Sequence, residues 1–121
     1  MSEVEILRLR KRAQFLFVRR GKTERRKTLV VQARSRPDQK THIGKGFTAT
    51  KKIGNATTRN RAKRRLREAA RNLLPDYGVP GTDYVFIARL DTATTRWQRL
   101  LDDMENALIS LREPLEKPPK T

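Results

Sequence analysis

The chain has 121 residues, enough for one domain with a modest core and too few for two. It has no cysteine, which excludes disulfides, thiol nucleophiles and thiolate metal sites. Its 29 Lys+Arg against 13 Asp+Glu give a net charge of +16, and so small a domain repels itself strongly unless it rests against a polyanion.

Nucleic acid leads among such partners, with anionic membrane a distant second. No segment approaches the ~20 apolar residues that span a bilayer. The start, MSEVEILRLRKR, lacks the apolar stretch of a secretory signal, and Glu3 and Glu5 argue against an amphipathic targeting peptide, so the expected address is the cytoplasm. Charge is unevenly placed. Residues 41–71 hold ten Lys+Arg and one acid, residues 1–27 carry a net +7, and residues 72–121 a net −2.

In chain order, the apolar and basic mixture from Ile6 to Val18 predicts a short helix over 12–19 that ends near Gly21. LVVQARS, Leu29–Ser35, reads as a strand, followed by a turn at Arg36-Pro37-Asp38. GFTATKK, residues 46–52, reads as a second strand, and residues 28–50 are expected to form an antiparallel hairpin. Gly54-Asn55 supplies a turn, with Gly54 suited to close backbone approach. A helix follows over Thr58–Leu74, capped by Thr57 or Thr58 and stopped by Pro75. Its apolar stripe is Ala62, Leu66, Ala69 and Leu73. YVFIARL, Tyr84–Leu90, is apolar enough for a central strand. A last amphipathic helix carries Trp97, Leu101, Met104, Leu108 and Leu111 as expected core, and residues 112–121 read as a flexible tail. Neither helix can bury its stripe alone, so helices laid on a sheet are the economical solution. The core then spans about 7–111 of a single domain, for which nucleic acid is the leading partner.

At 100° per residue, with Ala62 inward, Asn60, Arg61, Lys63, Arg64, Arg67 and Arg71 face outward, and Arg59 and Arg65 flank the boundary. Like charges at i, i+3 and i+4 repel, and only Glu68 offers relief. Such a face suits a polyanion better than water. Arginine forks grip phosphate oxygens bidentately and stack on bases. Lys51 and Lys52 in the preceding loop add to it. His42, the only histidine, sits in a polar loop, and the late acids Asp76, Asp83, Asp91, Asp102 and Asp103 do not assemble into a two-metal nuclease site. No autonomous active site is expected.

The run KKIGNATTRNRAKRRLRE, Lys51–Glu68, resembles the signature of the protein subunit of bacterial ribonuclease P: a Lys-Lys pair, a glycine, Arg-Asn-Arg, then Lys-Arg and Arg-Glu. A weaker likeness extends from about Leu7 to Leu111. The family's catalyst is its RNA, which uses bound Mg2+ to release the 5′ leader of precursor tRNA. The resemblance implies partnership with that catalytic RNA and with precursor tRNA, no obligate protein partner, and Mg2+ held mainly by the RNA. It implies RNA contacts from Lys51, Lys52, Arg59, Asn60, Arg61, Lys63, Arg64, Arg67 and Arg71. Leader contacts are implied for Phe15 and Phe17 of the first helix and for Val31 and Ala33 of the next strand, although either phenylalanine fits a core position equally well. The expected fold is α+β, a small α/β sandwich with a central, mostly antiparallel sheet packed by helices and a left-handed β-α-β crossover like that of ribosomal proteins. Three departures stand out: Arg19 where many members carry a second aromatic, a displaced basic residue in Gly44-Lys45-Gly46, and Ala62 in place of a larger aliphatic. The runner-up is a ribosomal or ribosome-associated RNA-binding protein, which has no need of the Lys51–Glu68 pattern. A DNA-binding regulator is disfavoured by the strand between the two main helices.

Overall fold

The computed structural model describes residues 4–116. Its elements are β1 (Ile6–Arg8), α1 (Arg12–Arg19), β2 (Lys22–Arg25), β3 (Leu29–Ser35), β4 (Ile43–Thr48), a 3-10 turn (Lys51–Ile53), α2 (Ala56–Tyr77), β5 (Thr82–Ala88) and α3 (Trp97–Glu116). The five strands form one sheet in the order β1-β4-β5-β3-β2. β5 is central, as its apolar run predicts.

The α+β sandwich holds, but the sheet is mixed rather than mostly antiparallel. β1·β4 and β4·β5 are parallel, while β3·β5 and β2·β3 are antiparallel. The expected hairpin over 28–50 does not form, because β5 lies between β3 and β4, pairing Val31 with Phe86 on one side and Phe47 with Phe86 on the other. The second strand also starts earlier than its composition suggests, at Ile43. Lys51 and Lys52 lie in the 3-10 turn instead.

Strand alternation divides the sheet into two faces. Leu29, Val31, Ala33, Tyr84, Phe86 and Ala88 point into the main core, where α2 and α3 cover them. Val85, with Ile87 at its side, points the other way and packs with Leu9 and Val18 under α1. The result is α1 on one face and α2 with α3 on the other.

The local chemistry explains the helix ends. Gln14 accepts hydrogen bonds from the Arg10 and Lys11 amides, both at 2.8 Å, and closes the start of α1. Asn55, not a threonine, caps α2: its Oδ1 accepts from the Thr58 amide at 2.9 Å. Pro75 does not stop α2, which runs on to Tyr77. Near a C-terminus a proline deprives only one carbonyl, that of the exposed Arg71, and water can serve it. α3 likewise continues through Pro114 to Glu116, with Leu115 packed on the core and Arg112 paired to Glu116 at 2.9 Å, so the tail expected from 112 is helical through 116. Residues 117–121 lie outside the described residues. The α3 stripe is Leu100, Met104, Ala107, Leu108 and Leu111; Trp97, expected in the core, is 36% exposed.

Candidate RNA interface

The apolar stripe of α2 is broader than the sequence indicates. Ala62, Leu66, Ala69, Ala70, Leu73 and Leu74 are all buried, which fixes the rotation of the helix. Asn60, Arg61, Arg64, Arg67 and Arg71 are consequently exposed, and Arg59 and Lys63 are half-buried. Among the described residues, only Arg71 of this face has an acid partner, Glu68 at 3.6 Å. The buried Nε of Arg59 finds no acceptor among the described residues. Arg65 faces sideways and is already used: it donates to the Thr92 carbonyl at 2.7 Å and the Thr95 carbonyl at 2.5 Å. Burial and the neighbouring Arg61 charge both lower its pKa from the ordinary arginine value.

Lys51 and Lys52 are exposed on the 3-10 turn just before α2. Gly54 ends that turn at φ 147°, a conformation L side chains rarely adopt. A Cβ there meets the Thr58 side chain at 3.1 Å, so the glycine answers to its dihedral and not to a close pass of two backbones.

On the opposite face of the sheet, α1 and the strands enclose a groove of about 240 Å³ lined by Arg12, Phe15, Leu16, Arg19, Gln32, Thr48, Val85 and Ile87. Phe15 reaches it because β4 carries Gly46: a Cβ on Gly46 would lie 2.6 Å from the ring. Half-buried Phe15 thus forms an aromatic wall between two arginines, while Gln32 and Thr48 supply neutral hydrogen-bonding groups. At one end of this layer Arg36 forms a buried ion pair with Asp83 at 2.6 Å and also donates to the His42 carbonyl, tying the β3–β4 connection to β5. Among the described residues, no three His, Cys, Asp or Glu side chains gather into a metal-binding group.

A family model described as Ribonuclease P matches residues 5–112. The chain belongs to the ribonuclease P protein family. It is 54% identical over 110 residues to the ribonuclease P protein component of Caulobacter vibrioides, covering 91% of this chain and 74% of that one. The component from Ruegeria pomeroyi is 52% identical over 108 residues, covering 88% and 86%. Among solved structures, the RNase P protein from Thermotoga maritima superposes with a TM-score of 0.70 at 28% identity, over 85% of this chain and 96% of that one. A Staphylococcus aureus RNase P protein mutant gives 0.73 at 25%, over 86% of each. The chain accordingly acts as the non-catalytic protein component in removal of the 5′ leader of precursor tRNA.

In this ribonuclease P protein the basic residues read from sequence share the outward side of α2, Arg59 and Lys63 half-buried and the others exposed, with Lys51 and Lys52 beside its start. The groove residues are less well anticipated. Phe15 lines the groove, but Phe17 does not; the Arg34 guanidinium stacks over its ring at 4.3 Å on another side of α1. Val31 and Ala33 are fully buried against α2 and α3, so the leader contacts expected of them are corrected: the groove sees the intervening residue, Gln32. Arg12, Leu16, Thr48, Val85 and Ile87 were not anticipated. Arg19 also lines the groove. Strand alternation alone separates Gln32 from Val31 and Ala33, once the face covered by α1 is known.

Proposed function

We propose that the outward face of α2, with Lys51 and Lys52, grips phosphates of the catalytic RNA, and that the α1 groove receives the single-stranded leader of precursor tRNA. The observation that carries this reading is the row of exposed, mostly unpaired arginines on a helix whose rotation is fixed by its buried stripe. Phosphate contacts made by such a row supply affinity without sequence preference. The groove suits a single strand for a different reason: an aromatic wall flanked by cations offers a base a stacking face and its phosphates a counter-charge. Magnesium belongs with the RNA partner, the partners are the catalytic RNA and precursor tRNA with no obligate protein, and the setting is the cytoplasm.

The test is cleavage of 5′-labelled precursor tRNA at low Mg2+ and near-physiological ionic strength by protein, bacterial catalytic RNA, and the two combined. Mature-end cleavage only in the mixture is expected. Cleavage by protein alone contradicts a non-catalytic role. No cleavage by the mixture, with the RNA proven active at high Mg2+, contradicts the reading altogether. In the same holoenzyme, Phe15→Ala weakens binding of leader-bearing substrate about tenfold relative to leaderless tRNA, a loss typical of one base–aromatic stack, and Phe17→Ala does not.

A further inference from the structure

Trp97 is the only tryptophan, and it is more exposed than any other aromatic side chain in the chain. It begins α3 but takes no place in that helix's buried stripe, which starts at Leu100. On one side the Arg65 guanidinium lies 5.8 Å from the ring centroid. Two backbone carbonyls, from Thr92 and Thr95, hold that guanidinium in place, so the arginine and the indole form a fixed pair rather than a passing contact. Arg61 precedes Arg65 by one turn of α2, and exposed Arg96 adjoins Trp97 in sequence. Leu90, in the connection leading to α3, is 70% exposed. A rigid, half-open aromatic bordered by cations is therefore continuous with the basic face of α2.

We propose that Trp97 is a stacking platform for an unpaired base of the catalytic RNA, adjoining the phosphate-gripping face of α2. This rests on the reading of α2 as the RNA grip. Charge complementarity selects a polyanion, and the indole adds what phosphate contacts lack, a flat surface for a base. The position selects which RNA. α3 packs with α2 on one face of the sheet, whereas the groove assigned to the leader opens on the other. A strand lying in that groove is separated from Trp97 by the sheet itself.

Because the tryptophan is unique, its fluorescence reads the site in the unmodified protein. Acrylamide, a neutral quencher that RNA charge does not repel, is titrated into free protein and into protein saturated with a bacterial ribonuclease P RNA, with complex formation followed by gel shift on the same samples. The quenching slope is expected to fall at least threefold in the complex. An unchanged slope in fully shifted samples overturns the platform and leaves the α2 grip standing. Failure to form any complex overturns both. Equal protection by precursor tRNA alone overturns the assignment to the catalytic RNA. Trp97→Ala is expected to weaken assembly about tenfold with little change in its salt dependence, and Trp97→Phe to restore most of the loss. A flattened salt dependence in Trp97→Ala would instead mean that the ring serves only to position Arg65.

Discussion

α2 and α3 are alike inside and opposite outside. Each lays a continuous apolar stripe on the same face of the sheet, over 22 and 20 residues respectively. In α3 both arginines meet acids one turn on, Arg99 with Asp103 at 3.3 Å and Arg112 with Glu116 at 2.9 Å. In α2, among the described residues, only Arg71 of the exposed arginines meets an acid, Glu68 at 3.6 Å. Packing therefore accounts for where both helices lie, and the outer faces differ in charge: α3 pairs its arginines with acids, while α2 leaves most of its arginines without one among the described residues. A surface of unpaired like charges is a cost to the free protein that a polyanion relieves.

If the two stripes are equivalent, truncating either should cost the same. Leu66→Ala and Leu108→Ala are each expected to lower unfolding stability by about 3 kcal/mol, measured by urea denaturation, because both side chains are fully buried. A large inequality would break the likeness of the two interiors. A smaller effect belongs to the core beneath them. Burial pushes the Tyr84 hydroxyl up to about 12, only partly opposed by its bond with the Val79 amide. The neutral phenol is thus favoured in the fold. Its contribution is fully present below the unfolded pKa near 10 and is lost as pH rises from there through the folded value, on the order of 2 kcal/mol. Tyr84→Phe should flatten that alkaline decline in melts taken between pH 9 and 12. The smallest effect sharpens the difference between the helices' termini. Asn55→Ala is expected to cost about 1 kcal/mol through loss of the bond to the Thr58 amide, and to loosen the start of α2, where Arg59 and Asn60 lie, visible as faster amide exchange there.

α2 is legible because two independent patterns coincide in it: a helical apolar period and a cationic remainder. β3 was legible from end to end, since LVVQARS is a compact apolar run with a turn after it. The edge strands β1 and β2 were not. ILR and KTER carry no apolar alternation of their own and become strands because β4 and β3 supply their ladders. β4 was misplaced because its glycines, which read as poor strand formers, are there to seat Phe15 and Leu9 against the sheet. The same long-range origin hides the groove. Gln32, Thr48 and Val85 come from three strands whose neighbours depend on β5 entering between β3 and β4, and no local pattern reports that insertion. Trp97 misled in the reverse direction. Its spacing fits the α3 stripe, but the helix begins there, beyond the edge of the core, and the ring meets Arg65 instead.

The contrast between the two outer faces is tested most directly by the salt dependence of binding to a bacterial ribonuclease P RNA, compared for the wild type, Arg61→Ala/Arg64→Ala and Arg99→Ala/Arg112→Ala. Each lost phosphate contact removes about one unit from the slope of log K against log salt. The account predicts that the α2 pair flattens the slope by about two units and weakens binding at moderate salt by about a hundredfold, while the α3 pair stays within about twofold of wild type with its slope intact. Equal effects from the two pairs, or an α2 pair that leaves binding unchanged, would contradict it.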